Sequence, residues 1–378
     1  MILRLSILCG CLWFVAPFTH ARGPIQQGPK TAFKNVMNPH RLPARGDHFE
    51  GWYHRVIDRE NGLSIAVIAT AYRLADSKEL KGYLSLVISR DGQSPLSVER
   101  SEVPVTLTAS GRPVDGSTKL KKSVEYRIEF PDLGYADANS LDISLRNFRV
   151  AMNWDMHKRL AWPRSRLSGL QTPADLAAYF PFLPAQWHVH DMGSEATYSI
   201  FDAIQNTTVT GRGEFHHEKN WGKSFPESWY WLDAMDAEKG VHVSGAGGVL
   251  KVLGLPIKAF LLGIHTPEVS FDFSPARLGA RFSIESDGCE NFNLWGGVGR
   301  YEFEIRTSAP QKDYVSLLVP KPTGYEPGAM ETLDAIMELK IWRRPLAFPL
   351  ARKTLIATHT LDRVGLEFGN EAAICNLR

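Results

Sequence analysis

Glu218-Lys219-Asn220-Trp221-Gly222-Lys223-Ser224-Phe225-Pro226-Glu227-Ser228-Trp229-Tyr230-Trp231 sets three tryptophans, a tyrosine and a phenylalanine beside a carboxylate, an asparagine and a Gly–Pro turn. A water-facing surface does not carry that many indoles, and an ordinary apolar core does not take the acid. Successive side chains of a strand point to opposite faces. As strand, turn, strand, the stretch puts Glu218 and Asn220 on one face, and Trp229, Trp231 and Asp233 on one face of the next strand. That is the wall of an aromatic pocket with acids in it. Phe49-Glu50-Gly51-Trp52-Tyr53-His54 repeats the theme, with Glu50, Trp52 and His54 sharing a face.

Outward from these segments the pattern alternates with period two. Val124, Tyr126, Ile128 and Phe130 alternate with charged residues, as do Tyr301, Phe303 and Ile305. Leu141, Ile143 and Leu145, and Val269, Phe271 and Phe273, do the same, so each reads as a strand with one face in a core. Ser64 to Tyr72 is apolar almost throughout, as a strand covered on both faces would be. Asp91-Gly92, Asp115-Gly116 and Asp287-Gly288 supply turns, and the Gly245 to Gly248 cluster reads as a hairpin turn. The best helix signal is Thr172 to Tyr179, with Pro173 at its first position. It sits in an irregular region from about Trp154 to Pro184. The expected class is all-β with very little helix, as antiparallel barrels or sandwiches.

The 378 residues, 44% of them hydrophobic, suffice for two domains with substantial cores. Lys plus Arg is 43 against 41 Asp plus Glu, an even balance without the concentrated basic field a nucleic-acid partner requires. Arg4, an apolar run from Leu5 to Ala16 and Thr19-His20-Ala21 form a secretory-type signal, expected to be cleaved after Ala21. The run is shorter than the ~20 residues of a spanning helix. Residues 22–37 form a basic tail, read either as a plain extension of a secreted or periplasmic protein or as the transit half of a two-part plastid leader. Cys9 and Cys11 leave with the signal, so Cys289 and Cys375 remain, free or paired.

The residues Phe49-Glu50-Gly51-Trp52-Tyr53, Glu218-Lys219-Asn220-Trp221-Gly222, Phe225-Pro226 and Trp229-x-Trp231 resemble the tocopherol cyclase family. Ala161-Trp162-Pro163, Phe182 and Gln186-Trp187 resemble the segment before its central strand, and Leu339-Lys340-Ile341-Trp342 its late strand. Plant members read His-Trp-Gln where this chain has Gln186-Trp187-His188, and they carry transit peptides. The resemblance implies two lipocalin-like antiparallel β-barrel or sandwich domains, placed at residues 38–185 and 186–378. It also implies chromanol ring closure on a prenylated benzoquinol, as in vitamin E biosynthesis. Related folds hydrate carotenoid-type alkenes, and lipocalin-like cups also carry hydrophobic isoprenoids without chemistry, so a hydratase and a carrier stand as alternatives.

Ring closure needs a proton for an alkene, shelter for a tertiary cation and attack by a phenol oxygen, with no redox cofactor. A carboxyl buried against aromatics stays protonated, and indole faces stabilise a cation by ~0.5–2 kcal/mol each. Glu218, Glu50 and Asp233 are the candidate acids, in that order. Two of them also have a bland reading: Glu218 paired to Lys219 or capping the Gly222 turn, Glu50 bridged to Arg55 or His54. Trp52, His54, Trp187, His188, His190, Asn220, Trp221, Trp229 and Trp231 are the candidate ligand contacts; each tryptophan singly also reads as core packing, and Asn220 either orients the phenol or satisfies a strand edge. His188 and His190 share a face and His216-His217 precede Glu218, as relays or pocket-rim residues, without a third partner at metal spacing. No metal and no cofactor is expected, and the partner is a hydrophobic prenylated quinol or isoprenoid. Leu255 to Ile264, apolar apart from Lys258, reads as a core strand or as a peripheral membrane contact. There is no Gly-x-Ser-x-Gly elbow.

Overall fold

The computed structural model describes residues 47–373, apart from 76, 78, 110–111, 114–125, 164–171, 174–184, 253–254, 276, 278, 322, 346–351 and 371. The signal segment, the basic tail, Cys9, Cys11, Cys375, Asp115-Gly116 and the expected helix beyond Pro173 lie outside the described residues. Cys289 is disulfide-bonded.

Among the described residues the regular structure is strand, apart from a 3₁₀ turn at Gln311–Asp313. A first sheet takes β1 (His48–Asp58), β2 (Leu63–Arg73), β3 (Lys81–Arg90), β4 (Leu96–Pro104), β5 (Thr106–Ala109), β6 (Arg112–Pro113), β7 (Tyr126–Phe130), β8 (Gly134–Asp137), β9 (Ser140–Leu145), β10 (Phe148–Trp154), β11 (Ala185–Asp202) and β12 (Thr207–Gly222). Its order is β4-β3-β2-β1-β12-β11-β10-β9-β8-β7-β5-β6. The sheet curls into a nearly closed barrel, so that Trp52 of β1 stacks on Tyr126 of β7 at 4.9 Å inside one continuous core.

The second sheet takes β13 (Ser228–Asp236), β14 (Val241–Val252), β15 (Leu255–His265), β16 (Ser270–Phe273), β17 (Arg281–Ser286), β18 (Asn291–Val298), β19 (Tyr301–Ser308), β20 (Val315–Lys321), β21 (Gly324–Arg343) and β22 (Thr354–Asn370). Its order is β16-β15-β14-β13-β22-β21-β19-β18-β17, with β20 paired to β21. The chain passes from one sheet to the other between Gly222 and Ser228, not at residue 185. The long strands β11 and β12 belong to the first sheet, because β11 adds to β10 and β12 returns to pair with β1.

Each sheet has its own core, and a third apolar cluster joins them. That cluster draws Tyr53, Ala66 and Val87 from β1–β3 and Trp229, Trp231, Leu317 and Leu333 from β13, β20 and β21. The outer face of β1–β3 is therefore covered by the second sheet. This is why Ser64 to Tyr72 is apolar on both faces: Ile65, Val67, Ala69 and Ala71 enter the barrel core, while Ala66 and Ile68 meet the other sheet.

Gly245 to Gly248 lies in the middle of β14 and is not a hairpin turn. A Cβ on Gly245 would come 2.7 Å from the Phe260 ring, and one on Gly248 would come 1.8 Å from the Ser228 carbonyl oxygen. Small residues are needed here for close approach rather than for chain reversal. Leu255 to Ile264 divides in the same unforeseen way. Its first four residues are exposed at the β14–β15 tip, and Phe260, Leu262 and Ile264 are fully buried.

The connector between β10 and β11 is pinned by Trp162, which donates its indole N–H to Asp272 Oδ1 at 2.9 Å and meets His265 edge-on at 4.7 Å. Its ring also fills the space a side chain at position 263 would need, since a Cβ on Gly263 would lie 1.6 Å from it. Trp162→Ala is expected to cost about 3–5 kcal/mol through the cavity it leaves. A thermal or urea unfolding midpoint unchanged from the parent protein would show that the connector does not tie the sheets.

Candidate active site

A cavity of about 220 Å³ opens between the two sheets. Its walls come from β1 (Phe49, Tyr53), β11 (Trp187), β12 (Glu218, Asn220), β13 (Trp229, Trp231), β20 (Leu317, Val319), β21 (Tyr325, Glu331) and β22 (Glu367). Phe225 stacks on both Phe49 and Trp229, closing one side with three rings. Tyr83 and Tyr325 stack at 4.3 Å on another. The lining is mostly apolar; its polar groups are Thr70, Gln186, Asn220, the tyrosines and three carboxyl groups, Glu218, Glu331 and Glu367.

Glu218 accepts the Trp231 indole N–H at 3.0 Å and lies 3.0 Å from His216 Nε2. His216 Nδ1 lies 3.1 Å from Asp233 Oδ1, and Asp233 Oδ2 pairs with Arg55 at 3.0 Å. Arg55, fully buried, also donates to the backbone carbonyls of Leu333 and Arg363. The result is one chain of contacts, Glu218–His216–Asp233–Arg55, which links β12 and β1 of the first sheet through Asp233 of the second. Burial pulls the His216 pKa down, but the Asp233 charge, then Glu218, outweigh it, and the net direction is up.

Glu331 and Glu367 stand directly opposite each other on β21 and β22, and Trp231 is the partner of Glu367 across β13. Tyr53 donates to Glu331 at 2.7 Å and the Trp229 indole donates to Glu367. Glu331 Oε2 is buried with no hydrogen-bond partner among the described residues. Burial, then repulsion from Glu367, pushes the Glu331 carboxyl up to about 8. Burial, together with the Glu218 charge and against the Trp229 hydrogen bond, pushes Glu367 up to about 7. The wall thus presents carboxylic acids that hold their protons near neutral pH.

The other sequence-derived candidates, Asp233 apart, sit on the opposite face of the same strands. Glu50 pairs with Lys219 Nζ at 2.5 Å inside the barrel, both fully buried. Lys219 also lies over Trp52 and Trp221, at 4.6 and 5.4 Å from the ring centroids. Trp52 borders the cavity but keeps its ring in the barrel. His188, His190, His217 and His54 lie in series at 4.5, 5.5 and 4.4 Å between ring centroids, the outer two pairs stacked and the middle pair tilted. Asp233 is beneath the wall rather than in it. Trp187, Glu218, Asn220, Trp229 and Trp231 are brought together at the cavity; Glu50, His54, His188, His190 and Trp221 are not. Among the described residues no group of three His, Cys, Asp or Glu is arranged to hold a metal ion.

Sequence reasoning passed over Glu331 and Glu367. In Gly365-Leu366-Glu367-Phe368-Gly369, the alternation of Leu366 and Phe368 into the core sends Glu367 to the face that water would ordinarily cover. The flanking glycines were the available signal. A Cβ on Gly369 would meet the Trp229 ring at 1.8 Å, and one on Gly365 the Trp231 ring at 2.7 Å.

A tocopherol cyclase-like family model matches residues 137–370. The chain is 25% identical over 226 residues to a chloroplastic tocopherol cyclase of Zea mays, covering 57% of this chain and 46% of that one. It is 26% identical over 179 residues to a probable chloroplastic tocopherol cyclase of Oryza sativa subsp. japonica, covering 46% and 37%. The chain thus spans less than half the length of these curated relatives. The crystal structure of CghA shares the fold at a TM-score of 0.54 and 11% identity, over 92% of this chain and 96% of that one.

Two pH effects follow. Burial drives the His54 pKa down to about 3 and that of His217 in the same direction, so both are neutral in the fold and bind protons preferentially in the unfolded chain. Their contribution falls as pH drops below about 6.5, by up to about 1.4 kcal/mol per pH unit each. His217→Phe is expected to lose less stability between pH 6.5 and 4.5 than the parent; an equal loss would count against the stack. Glu331 and Glu367 are raised, so their protonated forms favour the fold at low pH and that advantage is lost as pH rises from about 4.5 through 7 and 8. The Glu331→Gln/Glu367→Gln pair should raise the unfolding midpoint at pH 8 more than at pH 5.

Proposed function

The chain belongs to the tocopherol cyclase-like family, and we propose that it is a cyclase-type isomerase that closes a chromanol ring on a prenylated benzoquinol. The observation that carries this reading is the convergence of Glu218, Glu331 and Glu367 on one apolar cavity walled by indoles. A buried carboxyl delivers a proton to the trisubstituted alkene of the prenyl chain and leaves a tertiary cation. A positioned general acid contributes roughly 10²–10⁴-fold. Trp187, Trp229 and Trp231 face that cation and exclude the water that would otherwise trap it. The neighbouring phenol oxygen attacks, and its proton returns to a carboxylate of the wall. Reactant and product are isomers, so the step requires no external oxidant or reductant.

The cavity volume of about 220 Å³ is below the roughly 300–1,000 Å³ of sites that enclose a whole drug-sized ligand. It suits the aromatic head and the reacting alkene, with the rest of the isoprenoid chain outside. The β14–β15 hairpin supplies apolar surface for that tail. Leu250 and Leu261 line the cavity, Leu250 pairs across the hairpin with Ile257, and Leu255 and Ile257 are exposed beyond it.

The reading is tested by a mass-resolved product assay of the intact protein with a phytyl benzoquinol. An isomeric chromanol supports ring closure. A product heavier by one water assigns hydration, and tight binding without product makes the protein a carrier. Leu255→Asp/Ile257→Asp should raise KM several-fold for the phytyl substrate and leave a short-chain dimethylallyl analogue nearly unaffected. Equal KM changes for both would place the tail elsewhere.

A further inference from the structure

Three carboxyl groups at one cavity are more than a single proton donor requires, and their settings differ. We propose that the opposed pair Glu331–Glu367 donates the proton to the alkene, whereas Glu218, positioned by His216 and Asp233, accepts the proton of the attacking phenol. This division rests on the ring-closure reading above.

The geometry of the pair favours donation. Glu331 and Glu367 are register partners on adjacent strands, so the two carboxyls share one patch of wall. Each receives one hydrogen bond from an uncharged donor, Tyr53 or Trp229. The second oxygen of Glu331 is buried with no partner among the described residues, which suits a protonated carboxyl, since an ionised oxygen left there without a donor would be costly. The charged groups that act on the pair are Glu218, which holds its protons on, and Arg55, which opposes this at Glu331.

Glu218 is differently supported. The contacts at its Oε2 come from the Trp231 indole and from His216, an imidazole that faces Asp233 on its other nitrogen. Arg55 stands behind Asp233, and His242 and His217 are the further titratable groups that act on this segment. A carboxylate fixed by an indole N–H and by an imidazole anchored on Asp233 is held in place to receive a proton at the cavity. His216 and Asp233 are thus positioning residues; Glu218 is the one at the cavity.

The protons balance. One leaves the Glu331–Glu367 pair as the alkene π pair forms the new C–H bond. The phenol oxygen lone pair then forms C–O, and the O–H proton goes to Glu218. Return of that proton to the pair resets the site with no net change.

The two half-steps are separable with the O-methyl ether of the phytyl benzoquinol, which has no phenol proton at the attacking oxygen. In D₂O the acid alone exchanges deuterium into the alkene, because the cation returns its proton to the carboxylate that delivered it. Glu218→Gln is expected to lose ring closure of the free quinol by about 100-fold while retaining wash-in into the ether within a few-fold. Glu331→Gln and Glu367→Gln should lose both, with near-ultraviolet circular dichroism and quenching of tryptophan fluorescence by ligand unchanged. Glu331→Asp, which keeps a carboxyl, should restore part of the wash-in. Loss of wash-in in Glu218→Gln alone would reverse the assignment. Full activity in both pair variants would overturn the division while leaving ring closure intact. Neither product nor wash-in from the parent protein would overturn the ring-closure reading itself.

Discussion

The ion pair between Arg55 and Asp233 is the contact on which the site depends. It joins β1 of the first sheet to β13 of the second in a region that water does not reach. Removing one partner of such a pair typically costs 3–5 kcal/mol, because the other charge is left buried alone. Here the loss would propagate. Asp233 orients His216, His216 orients Glu218, and Glu218 helps to keep protons on the two carboxyls across the cavity. The apolar cluster between the sheets brings the walls together, and the ion pair sets their register.

The same constraint explains why β12 is so rich in chemistry. Both of its faces are buried, in two different environments. His217, Lys219 and Trp221 enter or border the barrel, where Glu50 neutralises the lysine and histidines stack on one another. His216, Glu218 and Asn220 turn to the second sheet and its cavity. Burial and the opposing Glu50 charge act against each other on Lys219, and burial wins, bringing its pKa down to about 8. A strand buried on both sides admits charges only where each finds a partner, and β1 and β12 supply one another's.

Much of this was legible from residues alone. The alternation at Leu141–Leu145 and Tyr301–Ile305 predicts strands because a half-buried strand must place apolar side chains every second residue, and both are strands. The double-sided apolarity of Ser64–Tyr72 announces a covered sheet, as found. The Glu218 to Trp231 stretch marks a place where indoles and acids coexist, and alternation sorts Glu218 from Lys219. The glycines Gly245 to Gly248 signal chain reversal in sequence, yet they lie within a strand. In β14 their role is to let the Phe260 ring and neighbouring backbone approach, which depends on atoms distant in sequence.

What the sequence determined by itself was the class of fold, most of the strands and which side chains share a face within them, because these follow from the local period of two. It could not say which face of one sheet would meet which face of the other. Glu50 and Glu218 look equivalent along the chain, each an acid among aromatics, yet one is neutralised by a lysine inside the barrel and the other reaches the cavity. Glu331 and Glu367 look like ordinary outward residues of strands. Only the stacking of the second sheet on the first withdraws them from water, and desolvation, a property of the whole surroundings rather than of the residue, makes them acids that keep their protons.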